Sequence, residues 1–246
     1  MKKILAFALF TILLSCADNS SLELYDKVQR AAQVNIKGYS KPDVIQMRFS
    51  GAPISINGNS SYTEKIETQL SFVLDQGEAE ELGIYNNQTG AQIAKYNITY
   101  DNINDYKNLY FFNLPGIFLQ TYAVKPQVNL GRVGFEFIFP NLGEFSGASS
   151  ENVKGVLKRL NGAVLAEFET IGRKDFTAVK IYTFFSATES VYLELYKPGT
   201  TEPYTGTNII KATLKQDIGA NMIVLQEKIE NGVLVVKGEI DVADYL

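Results

Sequence analysis

Residues 223–236 read IVLQEKIENGVLVV. Two apolar, β-branched runs, Ile223 to Leu225 and Val233 to Val236, flank Asn231-Gly232. Asn-Gly readily adopts the positive φ angles of a type I′ turn, whose twist matches that of paired strands, so this stretch specifies a β-hairpin. A second Asn-Gly, Asn161-Gly162, lies between Leu157–Leu160 and Val164-Leu165 and predicts another.

Outward from these turns the period is two rather than 3.6. Phe135, Phe137 and Phe139 alternate with Glu136 and Ile138, a run apolar enough on both faces to predict an interior strand. Val191, Leu193 and Leu195 alternate with Tyr192, Glu194 and Tyr196. Ile54 and Ile56, Leu70 to Leu74, Leu82 and Ile84, and Tyr96-Ile98-Tyr100 are further strand candidates. Many short strands at near-regular spacing predict an all-β chain of tandem antiparallel β-sandwiches.

An internal repeat supports two such units. At an offset of 111 residues, Arg48 and Gly51-Ala52 fall on Arg159 and Gly162-Ala163, and Leu82 and Tyr85 on Leu193 and Tyr196. Asn97-Ile98 meets Asn208-Ile209, and Leu114 meets Leu225. Apolar positions coincide as well, among them Ile45 with Val156, Ile84 with Leu195 and Phe112 with Ile223. The breaker Leu114-Pro115-Gly116 then separates a first sandwich, residues 34–116, from a second, residues 117–246. The run GEAEELGIYNNQTGAQIAKYNITY from Gly77, followed by LYFF at 109–112, resembles tandem immunoglobulin- or transthyretin-like bacterial surface modules. The second half departs from it, with Thr188 and Thr201 in place of Gly77 and Gly90.

The N-terminus reads MKKILAFALFTILLSC. Lys2 and Lys3 precede an apolar run, Ile4 to Leu14, too short to span a bilayer and of the length of a secretory signal. Leu13-Leu14-Ser15-Cys16 resembles the lipobox of bacterial lipoproteins, and Cys16 is the only cysteine in the chain. The resemblance implies a signal peptide over 1–15, cleavage before Cys16, acylation of its sulfur and new terminus, and anchoring through that lipid. Ala17, where lipoproteins retained at the inner membrane usually carry Asp, points to the outer membrane, with either its periplasmic or its exterior face open. Residues 16–33 read as a tether, with Leu22, Tyr25, Val28 and Ala32 spaced for one face of a short helix.

The 246 residues include no His and no Trp, against 14 Tyr and 15 Phe. Without His there is no Ser-His-Asp triad, Cys-His pair or His-ligated zinc. A net charge of −4 offers no footprint for nucleic acid. Glu78, Glu80 and Glu81 sit together in one turn, without the separation that glycosidic hydrolysis needs. Asp101, Asn102, Asn104 and Asp105 lack the Gly and terminal Glu of a calcium loop and read as an Asx turn. The expectation is a non-enzymatic protein without metal or cofactor, whose partner is a glycan or another envelope protein. Exposed Tyr rings in two polar loops, Tyr106 and Tyr110 in one and Tyr196 and Tyr204 in the other, are the candidate contacts. Arg30, between tether and first strand, resembles the processing site of lipoprotein pilins built from two transthyretin-like sandwiches, which accept a donor strand after cleavage.

Overall fold

The computed structural model describes residues 28–183 and 190–246. Cys16, the expected signal peptide and most of the expected tether lie outside the described residues. Among the described residues fifteen strands form two sheets, and no residue is α-helical. The chain is therefore all-β with two domains, as expected.

Contacts divide it into two compact units. The first comprises the described residues up to Ile36 together with Val44–Tyr62 and Glu67–Leu109, and the second Lys37–Asp43, Thr63–Ile66 and Tyr110–Leu246. The break falls at Leu109 rather than after Gly116. Leu114 pairs with Ile117, so Pro115-Gly116 is the tight turn of a hairpin, not a linker.

The first sheet contains β1 (Gln29–Phe49), β2 (Ala52–Pro53), β3 (Tyr62–Asp75), β4 (Ala79–Asn86), β5 (Gln92–Thr99), β6 (Asn108–Leu114) and β7 (Ile117–Leu119), in the order β5-β4-β1-β6-β7 with β2 and β3 also on β1. Strand β1 begins at Gln29 and buries Ala32, so residues 29–33, expected to be tether, belong to a strand, and Ala32 is not helical. Alternation supplies the core of the first unit: Val34 and Ile36, Ile45 and Met47, Leu82 and Ile84, and Tyr96 and Ile98 are buried. Ile54 and Ile56 form no strand. Positive φ at Asn57 and Gly58 closes a turn across Ile56 and Asn59, and the Tyr62 hydroxyl ties it down by accepting from the Ile56 N–H.

The second sheet contains β8 (Arg132–Ile138), β9 (Asn152–Arg159), β10 (Val164–Gly172), β11 (Lys180–Thr183), β12 (Val191–Tyr196), β13 (Ile210–Leu214), β14 (Gly219–Glu230) and β15 (Val233–Asp241). Their order is β10-β9-β12-β13-β15-β14-β8-β11. Both Asn-Gly hairpins form: Glu230 pairs with Val233 across Asn231-Gly232, and β9 pairs antiparallel with β10 across Asn161-Gly162. Two pairs, β13 with β15 and β14 with β8, are parallel, so this sheet is mixed. Parallel neighbours are joined through distant parts of the chain, which local periodicity does not report.

All eight strands send residues into one core, including Phe135, Phe137, Leu157, Phe168, Tyr182, Leu193, Ala212, Ile223 and Val236. Edge strand β10 comes within 8 Å of β8 and β11 at the other edge, so the sheet curls around this core. Phe135 stacks on Phe137 at 5.6 Å, and Phe168 meets Phe137 edge-on at 4.8 Å. The opposite face of β8 and β14 is also covered: Ile138, Met222 and Val224 pack with Phe112, Leu114, Leu119 and Val242. Strand β8 is thus apolar on both faces and flanked on both sides, as its sequence implies.

The offset of 111 residues maps strand onto strand. Gln69–Phe72 of β3 falls on Lys180–Thr183, Glu80–Tyr85 of β4 on Val191–Tyr196, and Asn108 of β6 on Gly219, where β14 begins. Neighbour relations agree only in part: β5-β4-β1 matches β13-β12-β9, but β3 and β6 lie beside β1 whereas β11 and β14, onto which they fall, lie beside β8, so the two units do not share one strand order. Register does not agree: Met47 pairs with Ile84, whereas Lys158 pairs with Tyr192 rather than with Leu195.

Candidate functional site

The four tyrosines proposed from sequence are not brought together. Tyr196 and Tyr204 are buried, at 9% and 4% exposure. The Tyr196 hydroxyl donates to Glu194, itself held by Lys158 at 2.6 Å. Burial, reinforced by Glu194, pushes the Tyr196 phenol up to about 12. The Tyr204 hydroxyl donates to Glu227 at 3.0 Å, and its ring meets Phe139. These two are framework rings, not loop contacts. Tyr106 is half-buried in a 3-10 turn, Ile103–Tyr106, edge-on to Tyr96. Burial, with Tyr106 beside it, pushes the Tyr96 phenol up to about 12. Only Tyr110 borders an exposed aromatic surface, its ring 4.5 Å from that of Tyr122, which is 60% exposed.

Arg30 is the second residue of β1. It donates to the Tyr100 carbonyl and, at 3.0 Å, to Asn104 Oδ1. A protease would need this end of β1 to detach before cutting there. Asn102 accepts from the Thr99 N–H at 2.7 Å and donates to the Asn97 carbonyl, so the 101–105 loop is the Asx turn its sequence suggests.

Acids are not confined to turns. Glu194, Glu227 and Asp241 lie on strands and are buried. Glu227 Oε1 accepts from the Gly143 N–H, the Ser146 hydroxyl and Tyr204, and Oε2 from the N–H groups of Phe145 and Ser146. Burial raises its pKa, but these donors outweigh it and hold the carboxyl below its ordinary range. Asn141 adds two bonds to the Glu227 backbone. Together they pin the loop after β8 onto β14. Asp217, Asp241 and Asp244 bring carboxylate oxygens within 4.8 Å of one another. The chain's own donors already serve them: Lys215 pairs with Asp244 and Asp217, and Asp241 accepts from the Met222 and Ala243 N–H groups.

Beside the start of the pinned loop, at Pro140, lies a groove of about 470 Å³ in the second unit. Three segments line it: Phe118, Leu119, Gln120 and Thr121; Ile138 and Pro140; and Arg173, Lys174 and Asp175. The last three sit where they do because the chain is fixed before and after them. The Gly172 carbonyl accepts from the Phe139 N–H at 2.8 Å, the Thr177 N–H donates to the Phe137 carbonyl, and Phe176 packs against the outer cluster. A second concavity, lined by Asn141 to Glu144, shares Pro140 and Arg173. The Arg173 Nε is buried without a hydrogen-bond partner among the described residues. The groove pairs apolar side chains and a ring with amide, hydroxyl, carboxylate and guanidinium groups, which suits an amphipathic, hydroxyl-rich ligand. Sequence reasoning missed it. Its only local signal is the charged triplet Arg173-Lys174-Asp175 in a short inter-strand loop.

No protein-family model and no curated protein matches the chain. Among solved structures it is similar to a candidate cell adhesion protein from Bacteroides uniformis, at 10% identity over 84% of this chain and 97% of that one, with a TM-score of 0.28. It is also similar to a family 26 carbohydrate-binding module from Eubacterium rectale in complex with maltoheptaose, at 10% identity over 86% of this chain and 99% of that one, with a TM-score of 0.22. No helix among the described residues is long and apolar enough to cross a membrane.

Proposed function

We propose that the protein is a non-catalytic lipoprotein of the bacterial outer membrane, anchored through Cys16, whose second β unit binds a glycan in the groove between Phe118 and Asp175. The groove carries the binding half of this reading. Its volume lies within the range of about 300–1,000 Å³ common to small-molecule sites. Phe118, stacked on Phe111 at 5.7 Å, offers a supported ring for the apolar face of a sugar. Gln120, Thr121 and Asp175 offer donors and acceptors for hydroxyls. Thr121 leads directly into exposed Tyr122 and its partner Tyr110, which extend the aromatic surface in the same unit. The lipobox at Leu13 to Cys16 supports the anchor, and two or more acyl chains on one residue suffice for stable attachment.

Titration calorimetry of the mature protein in detergent micelles against neutral and acidic oligosaccharides tests the binding. Phe118→Ala should weaken the bound sugar at least tenfold with little change in thermal stability, and absence of heat with every sugar would overturn the reading. Metabolic labelling with a palmitate analogue tests the anchor: wild type should take up label and Cys16→Ala should not.

A further inference from the structure

Resting on the groove reading, we propose that Arg173 makes this site selective for acidic saccharides, with the guanidinium receiving a sugar carboxylate. Arg173 forms no hydrogen bond or ion pair with any described residue, although its Nε is withdrawn from water. An unsatisfied buried donor is costly, and a charged one more so, which marks a position whose partner arrives from outside. Asp175 lines the same groove yet makes no ion pair with Arg173, so the chain's own acid does not quench it. Lys174 adds a second cation without a partner among the described residues, which leaves the groove locally positive in a protein of net charge −4.

Geometry favours a planar anion. A guanidinium presents two N–H groups along one edge, a spacing that matches the two oxygens of a carboxylate. Gly143 lies against the guanidinium: a Cβ at that position would be 3.5 Å from Arg173 Nη2, in ordinary contact. Bonds from Glu227 hold the Gly143 segment in place, so the cation's surroundings are preorganised rather than formed on binding. The ring of Phe118 and the polar groups of Gln120 and Thr121 then face the remainder of the sugar.

The test compares a hexamer of galacturonic acid, a neutral galactose hexamer and a sulfated galactose hexamer, titrated into the mature protein and into Arg173→Gln and Arg173→Lys. Wild type should bind the uronate at least tenfold more tightly than the neutral sugar. Arg173→Gln should erase that preference by weakening uronate binding at least tenfold more than neutral binding, and Arg173→Lys should keep part of it because charge remains but the fork is lost. Equal affinity for uronate and neutral sugar, or an unaffected preference in Arg173→Gln, overturns acid selection and leaves the glycan groove standing. Tighter binding of the sulfated sugar overturns the carboxylate assignment. Failure of all three sugars overturns both the selection and the groove.

Discussion

Replacing Glu227 by Gln should unfasten the loop after β8, part of which lines the concavity that shares Arg173 with the groove. The carboxylate accepts five hydrogen bonds, three on Oε1 and two on Oε2. An amide keeps one acceptor oxygen but sets an NH2 group against the N–H donors of Phe145 and Ser146. Each stranded donor costs about 1–3 kcal/mol, so the loss should reach roughly 2–6 kcal/mol, a large part of the ~5–15 kcal/mol that holds a domain together. With a urea slope of about 1–3 kcal/mol per molar, the midpoint should fall by about 1 M or more. Tyrosine fluorescence and far-UV circular dichroism report the transition, since the chain has no Trp. The exposed neighbour change Glu144→Gln serves as control and should stay within about 0.5 kcal/mol. The sign with pH is also set. A carboxyl held below its unfolded pKa stabilises the fold above that unfolded value, about 4.3, and loses this as pH falls through the folded one. Wild type should therefore lose its advantage over the variant in acid. A loss below about 1 kcal/mol at pH 7, or a difference between the two proteins independent of pH, would refute the pinning argument.

Glu136 should act in the opposite sense. Burial pushes its carboxyl up to about 7, so stability should rise as pH falls from above 7 towards the unfolded value near 4.3. Glu136→Gln should stabilise at pH 8 by about 1–2 kcal/mol, a figure reduced for partial exposure to water, and do little at pH 4.5; thermal melts at both pH values check this. Gly143→Ala should destabilise by about 1–3 kcal/mol, because φ is +84° and the added Cβ would lie 2.2 Å from the Ala148 carbonyl oxygen; urea titration measures it. Tyr204→Ala should cost about 3–5 kcal/mol and Tyr122→Ala about 0.5 or less, which separates a framework ring from an exposed one in the same melts.

Much of the fold was legible because it is written in local rules. The turn at Asn231-Gly232 and the alternation around Phe135 to Phe139 depend on residues adjacent in the chain, and the strands they imply are present. The offset of 111 residues brings β4 onto β12 and the start of β14 onto β6, because strands with a buried face carry similar apolar patterns, but it does not carry over which strands are neighbours. Legibility ended where distant segments meet. Phe135 to Ile138 mark β8 as interior, but nothing in them names β14 as its parallel neighbour. The candidate tyrosines show the same division: the polar stretch around Tyr204 reads as a surface loop, yet its ring is buried with its hydroxyl on Glu227, a strand residue 23 positions away. The groove lies at the far end of this scale. Phe118, Ile138 and Arg173 come from three separate segments and carry no shared motif. Sequence alone determined most of the strands and both Asn-Gly turns, because backbone geometry and side-chain period act over a few residues. Tertiary structure alone decided which carboxylates are buried, which rings are framework and where the unpartnered guanidinium faces a cavity, because desolvation and long-range hydrogen bonding exist only after the sheets have closed.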